Sequence, residues 1–205
     1  MSEADLADDL KASIQDAAKV FTAAGDADFK RHLATAALDF GRKRRRTLVG
    51  SITLVGDEAE YPAPADFLAF KSHLWGITPI ARAKPWDKTW PGRLPDVRYV
   101  EKSDGTKKLA LEPPPITSQI SALGSEFRFY YYAAHSVNAT AASTTILPGD
   151  RGLLLLRAQA EAMKEMAMRN LMKPVMVREG MSSSPKNGTP SYLYEKFMTE
   201  FAEAA

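Results

Sequence analysis

From Ser2 to Ala24 the apolar residues Leu6, Leu10, Ile14, Ala17 and Phe21 recur at spacings of three and four, which predicts a helix with one buried face ending at Gly25. A second stripe of Phe29, Leu33, Ala36, Ala37 and Phe40 predicts another helix, capped by Asp26 or Asp28 and closed by the basic run Arg42, Lys43, Arg44, Arg45 and Arg46. Two antiparallel helices joined by a short loop satisfy both stripes. The period then changes. Leu48, Gly50, Ile52 and Leu54 alternate with Val49, Ser51, Thr53 and Val55, a β-rich set bounded by the turn Gly56 to Glu60, and Phe67 to Trp75 reads as the partner strand.

Between Gly76 and Pro115 the chain carries Pro79, Pro85, Pro91, Pro95, Pro113, Pro114 and Pro115, too many breakers for a helix or a central strand. This predicts an extended excursion. Within it Val97 to Lys102 and Lys107 to Glu112 flank Asp104-Gly105, a strong hairpin signal. Glu126 to Ala134, dense in aromatics, predicts a further strand. Successive side chains on a strand point to opposite faces, so at least one of Tyr130, Tyr131 and Tyr132 must face something other than its own core. Aromatics are enriched at protein interfaces, which makes an assembly surface the favoured use of these tyrosines, with a base-stacking platform including Trp75, Trp86 and Trp90 as the alternative.

Pro148-Gly149-Asp150 starts the longest predicted helix, whose Leu153, Leu154, Leu156, Ala160, Met163, Met166, Ala167 and Leu171 are apolar over more than one face. Pro174 ends it. Val175 to Gly188, with its serine patch, reads as a flexible connector, and Thr189-Pro190 supplies a cap and first-turn proline for a last helix striped by Leu193, Phe197 and Phe201. The expected fold class is α+β: an antiparallel helical bundle of about four helices with an inserted antiparallel β-sheet or hairpin excursion. Its parts are a helical hairpin over 1–45, a β-rich insertion over 46–137, a central helix over 138–173, and a connector with a docking helix over 174–205.

With 205 residues the chain can bury a substantial core, and without cysteine it has no disulfide framework, thiolate metal site or cysteine nucleophile. No phosphate-binding glycine loop, nucleophile elbow, or kinase or deaminase signature occurs, and no carboxylate pair is singled out. His32, His73 and His135 have no ligand partner at a metal-binding spacing. The expectation is therefore a protein that is not an enzyme and takes no cofactor and no metal. No apolar run approaches the ~20 residues of a membrane span and the N-terminus is acidic, so no membrane association is expected.

A formal net charge of +2 makes the whole molecule no magnet for nucleic acid, so any such role must be local. The run Arg42 to Arg46 has three readings: cations favoured by a helix C-terminus, forks that pair with carboxylates of an adjacent copy, or contacts to DNA phosphate. The terminal stripe, with Tyr192 and Tyr194 beside it, has the layout of a helix that docks into a groove on another protein, or folds back on its own bundle.

The order of features from Phe29 to Trp75, a helix with a basic end, a strand, a short acidic turn and the corner Tyr61-Pro62-Ala63-Pro64-Ala65-Asp66-Phe67-Leu68, resembles the head-to-tail connector (adaptor) proteins of tailed bacteriophages. Pro148 to Ala160, Pro174 to Met181 and Lys186 to Pro190 resemble the long helix, connector and terminal helix of the same family. The resemblance implies a structural virion protein made in the bacterial host cytoplasm. It further implies a ring of twelve copies under the portal protein that extends the DNA channel, joins a tail or further neck protein, and holds packaged DNA. By the same resemblance, Tyr192, Leu193, Tyr194, Phe197 and Phe201 are the expected portal contacts. A tail-completion or terminator protein, and a DNA-binding module using Arg42 to Arg46, stay open beside it.

Overall fold

A computed structural model of the chain describes residues 1–77, 84–88, 90–170 and 189–205. The chain divides into two units, Met1–Arg44 with His135–Ala205, and Arg45–Ala134. It is α+β, with five α-helices among the described residues and two small antiparallel sheets.

In the first unit, α1 (Glu3–Ile14) opens on a capping box in which Ser2 and Asp5 satisfy each other's backbone amides. It ends earlier than its stripe suggests. Gln15 takes φ 50, and a 3-10 helix, Gln15–Val20, carries the chain onward. That correction has a local cause, since a 3-10 turn also repeats about every three residues and keeps Ala17 and Phe21 near the stripe. Asp26 precedes α2 (Ala27–Lys43) in a left-handed conformation and its side chain caps nothing; its carboxylate pairs instead with Lys11 Nζ at 2.7 Å. Two more helices share this unit, α4 (Arg151–Asn170) and α5 (Pro190–Ala204), the latter capped by Thr189, whose Oγ1 accepts from the Tyr192 amide. One core joins all four: Leu6, Leu10, Leu33, Phe40, Leu154 and Phe201 are all buried in it. The predicted helix end at Pro174, Leu171 and the connector Val175 to Gly188 lie outside the described residues.

The second unit holds β1 (Arg46–Thr53), β2 (Glu60–Pro62), β3 (Phe67–His73), β4 (Asp96–Glu101), β5 (Lys107–Glu112), the short helix α3 (Thr117–Leu123) and β6 (Glu126–Ala133). One sheet has the order β1-β6-β3 and the other β2-β5-β4. The strand at Phe67 is therefore not the partner of β1; β6 lies between them, antiparallel to both, with Arg46 opposite Ala133 and Thr53 opposite Glu126. Burial explains the central place of β6. Phe127, Phe129, Tyr131 and Ala133 alternate into the core from a strand that is flanked on both sides, and β1 and β3 lay Leu48, Ile52 and Phe70 beside them.

The hairpin of β4 and β5 forms around Asp104-Gly105 as its turn residues require. Gly105 takes φ 80, Lys102 and Thr106 close the loop, and Asp104 Oδ1 accepts from the Thr106 amide at 2.8 Å. The hairpin is anchored in the core of its unit. Leu109 and Leu111 are fully buried, β2 adds a third strand, and Trp75 Nε1 donates to the Gly124 carbonyl at 2.8 Å.

Candidate assembly surfaces

The basic run does not form one patch on one element. α2 stops at Lys43, Arg44 is its C-cap, and Arg46 already belongs to β1, so the expectation that all five residues lie at a helix end is corrected. Arg42 Nη1 donates to Asp39 one turn back at 2.8 Å. Lys43 is exposed. Arg44 reaches Asp150 Oδ1 at 2.8 Å and the Ala204 carbonyl at 3.0 Å, where a cation complements the negative end of α5. Its own carbonyl accepts from His135 Nε2 at 3.0 Å. Arg45 lies with its guanidinium 5.0 Å from the Tyr132 ring centre, and Arg46 Nη1 is 3.7 Å from Asp66 Oδ2. Three of the four arginines thus already meet carboxylates of their own chain, which accounts for their presence without phosphate.

The three tyrosines divide between the faces of β6. Tyr131 is buried, stacks on Phe67 with centroids 5.4 Å apart, and donates its hydroxyl to Asp66 Oδ1 at 3.0 Å. Burial and that hydrogen bond to a carboxylate together raise its pKa. Tyr130 and Tyr132 are half-buried on the opposite face, and Tyr132 is flanked by Arg45 and Lys71. Val49 on β1, opposite Tyr130, is 58% exposed, and Leu68 on β3 and Leu74 just past it are 53% and 50% exposed.

The terminal helix is seated on its own unit. Phe201 is buried in the core, and Leu193, Tyr194 and Phe197 pack against it, while Tyr192 is exposed. A cavity of about 390 Å³ remains beside it, lined by Ile14, Ala17, Met163, Met166, Leu193 and Phe197 among others.

Sequence reasoning missed the polar cluster inside the helical unit. His32, buried, lies with Nε2 2.7 Å from Glu165 Oε2, and Arg31 Nη2 is 2.6 Å from the same oxygen. Arg169 Nε donates to Glu165 Oε1 at 3.0 Å. Burial pushes the Glu165 carboxyl up, but the hydrogen bonds from His32, Arg169 and Arg31 outweigh it and hold the pKa at about 2. His73, by contrast, is pushed down by burial. Among the described residues no three His, Cys, Asp or Glu side chains are grouped to hold a metal ion, and no helix is long and apolar enough to cross a membrane.

The deciding comparison is with families of known type, where the SU10 adaptor protein family matches residues 1–181. The chain belongs to the SU10 adaptor protein family. No curated protein matches it. Membership identifies a phage head-to-tail adaptor family, a family of virion proteins and not a known enzyme family. The match spans the whole β unit, α1, α2 and α4, and stops before α5, so this family member's terminal helix lies beyond the matched region.

Proposed function

We propose that the chain is a structural neck protein that assembles as a ring of twelve copies under the portal, extends the channel for packaged DNA, and receives a tail or further neck protein. The observation that carries this reading is the family match over residues 1–181. The division of the chain supports it. A ring of head-to-tail copies closes only if each copy bears two unlike complementary surfaces, and a helical unit and a β unit supply unlike surfaces.

Within this reading the portal contact falls on α5, through Tyr192 and the half-buried Leu193, Tyr194 and Phe197, with Phe201 fixing the helix to its own unit. The intersubunit role of Arg42 to Arg46 narrows to Lys43 and Arg45, because Arg42, Arg44 and Arg46 have carboxylates within the chain.

Light scattering of the full chain, alone and mixed with the portal protein of the same virus, tests the proposal. A defined ring or a stoichiometric complex is the expected result; a monomer that ignores the portal would reject it. Tyr192→Ala should weaken the portal complex and leave the far-ultraviolet spectrum unchanged.

A further inference from the structure

The two sheets of the β unit have four edge strands, and three are visibly blunted. β3 carries two register shifts along its pairing with β6. β2 is three residues long and ends in Pro62. β4 holds Asp96, Arg98 and Glu101 among its six residues. Bulges, brevity, proline and charge are the devices by which edge strands avoid indiscriminate pairing. β1 has none of them. Its eight residues, Arg46–Thr53, pair in unbroken register and contain no proline and no charge after the first position.

The hydrogen-bond alternation identifies which groups on this edge are open. Leu54 donates its amide to the Ser125 carbonyl at 2.8 Å in the register of the β1–β6 ladder, so the even-numbered residues of β1 face β6. Thr47, Val49, Ser51 and Thr53 then aim both backbone groups away from the sheet. No backbone hydrogen bond to these outward groups is formed among the described residues, and all four side chains are exposed. The same reasoning applies to β4, where the Lys102 amide bonds to the Thr106 carbonyl and leaves Val97, Tyr99 and Glu101 facing outward.

Charge selects between these edges. Arg45, at the start of β1, and Glu101, at the end of β4, are exposed and have no ion-pair partner among the described residues, whereas Asp96 already meets Arg93 at 2.9 Å. We infer that β1 of one copy adds antiparallel to β4 of a second copy, so that Thr47, Val49 and Ser51 stand opposite Glu101, Tyr99 and Val97. In this register the outward amides and carbonyls of these three residues on each strand meet their complements. Val49 faces Tyr99, whose ring stacks on Phe67 within its own chain and stays 38% exposed, and Arg45 lies diagonal to Glu101. Arg98 falls opposite Gly50, which offers no side chain to oppose it. The contact is heterologous, one edge against a different edge, and propagates from copy to copy. It rests on the ring reading and names the strands that make the junction.

The test uses the full chain and two readouts, mass by light scattering across a concentration series and hydrogen exchange. Val49→Pro removes an outward amide without breaking the β1–β6 ladder, and should give a folded protein that no longer assembles. Arg45→Glu should weaken assembly about fivefold by placing like charges at the junction, and Arg45→Glu with Glu101→Arg should restore it. In the wild-type assembly the amides of Thr47, Val49 and Ser51 should become protected while those of Leu48 and Ile52 are protected throughout, a readout that does not depend on any variant folding. Assembly with those three amides still exchanging freely would overturn the edge pairing and leave the ring reading standing. A wild-type chain that stays monomeric at every concentration, alone and mixed with the portal protein, would overturn both.

Discussion

Replacing Glu165 by Gln removes the one carboxylate on which His32, Arg31 and Arg169 converge, and the structure fixes what should follow. Its carboxyl is held at about 2 against an ordinary value of 4.5, which corresponds to roughly 3 kcal/mol of preference for the charged form. With 23% of the side chain exposed, solvent screening reduces that to about 1–2 kcal/mol. A carboxyl whose pKa is depressed by folding contributes its stability in full above the unfolded value and loses it as pH falls toward the folded one. Glu165→Gln should therefore be less stable than wild type by about 1–2 kcal/mol at neutral pH, and the gap should close between about pH 4.5 and pH 2.

The two units permit a clean assay. Trp75, Trp86 and Trp90 all lie in the β unit, whereas four of the five described α-helices lie in the other. Urea unfolding followed by far-ultraviolet ellipticity reports mainly on the helical unit, and tryptophan fluorescence reports on the β unit. At neutral pH the ellipticity midpoint should fall by roughly 0.3–2 M urea, given a slope of about 1–3 kcal/mol per molar. The fluorescence transition supplies the internal reference. A wild type and variant whose ellipticity midpoints differ by the same amount at pH 7 and pH 2 would refute the assignment, because the lost contacts would then be independent of charge.

Two substitutions test the cores separately. A methyl group added at Gly50 would stand 2.5 Å from Phe129 Cζ, and Phe129 is packed among Phe70, Phe127 and Tyr131, so Gly50→Ala should destabilise the β unit by about 1–3 kcal/mol, read from tryptophan fluorescence. Arg157, buried between α2 and α4, holds Asp39 Oδ2 at 2.6 Å and Glu161 Oε2 at 3.0 Å, and Arg157→Ala should lower the stability of the helical unit by about 3 kcal/mol in ellipticity-monitored unfolding.

What the sequence disclosed follows from how local each signal is. The stripe Phe29, Leu33, Ala36, Ala37 and Phe40 and the hairpin around Asp104-Gly105 are written within a few residues of one another, and both elements form where they are expected. The early end of α1 depends on a positive φ at Gln15, which no residue type at that position announces. β2 and α3 were missed because three and seven residues are too few to establish a period, and the latter follows directly on Pro113, Pro114 and Pro115. The Glu165 cluster was illegible for the opposite reason: His32 and Glu165 are 133 positions apart, and only the packing of α2 on α4 brings them together.

The misassigned strand partner teaches the most about assembly. Neighbouring strands in sequence are the default expectation for neighbours in space, and β1 with β3 satisfied it. The aromatic strand β6, distant in sequence, takes the centre instead because its alternating faces bury Phe127, Phe129 and Tyr131 on one side while Tyr130 and Tyr132 stay near the surface on the other. With β6 in the centre, β1 and β3 are the two edge strands of this sheet, one regular and one bulged, so the order that fills the core also places the regular backbone row of β1 at an edge. On the proposed edge pairing, core packing and assembly are linked through one strand: a variant that weakened β6 would be expected to alter both the stability of the β unit and the straightness of the edge proposed to join copies.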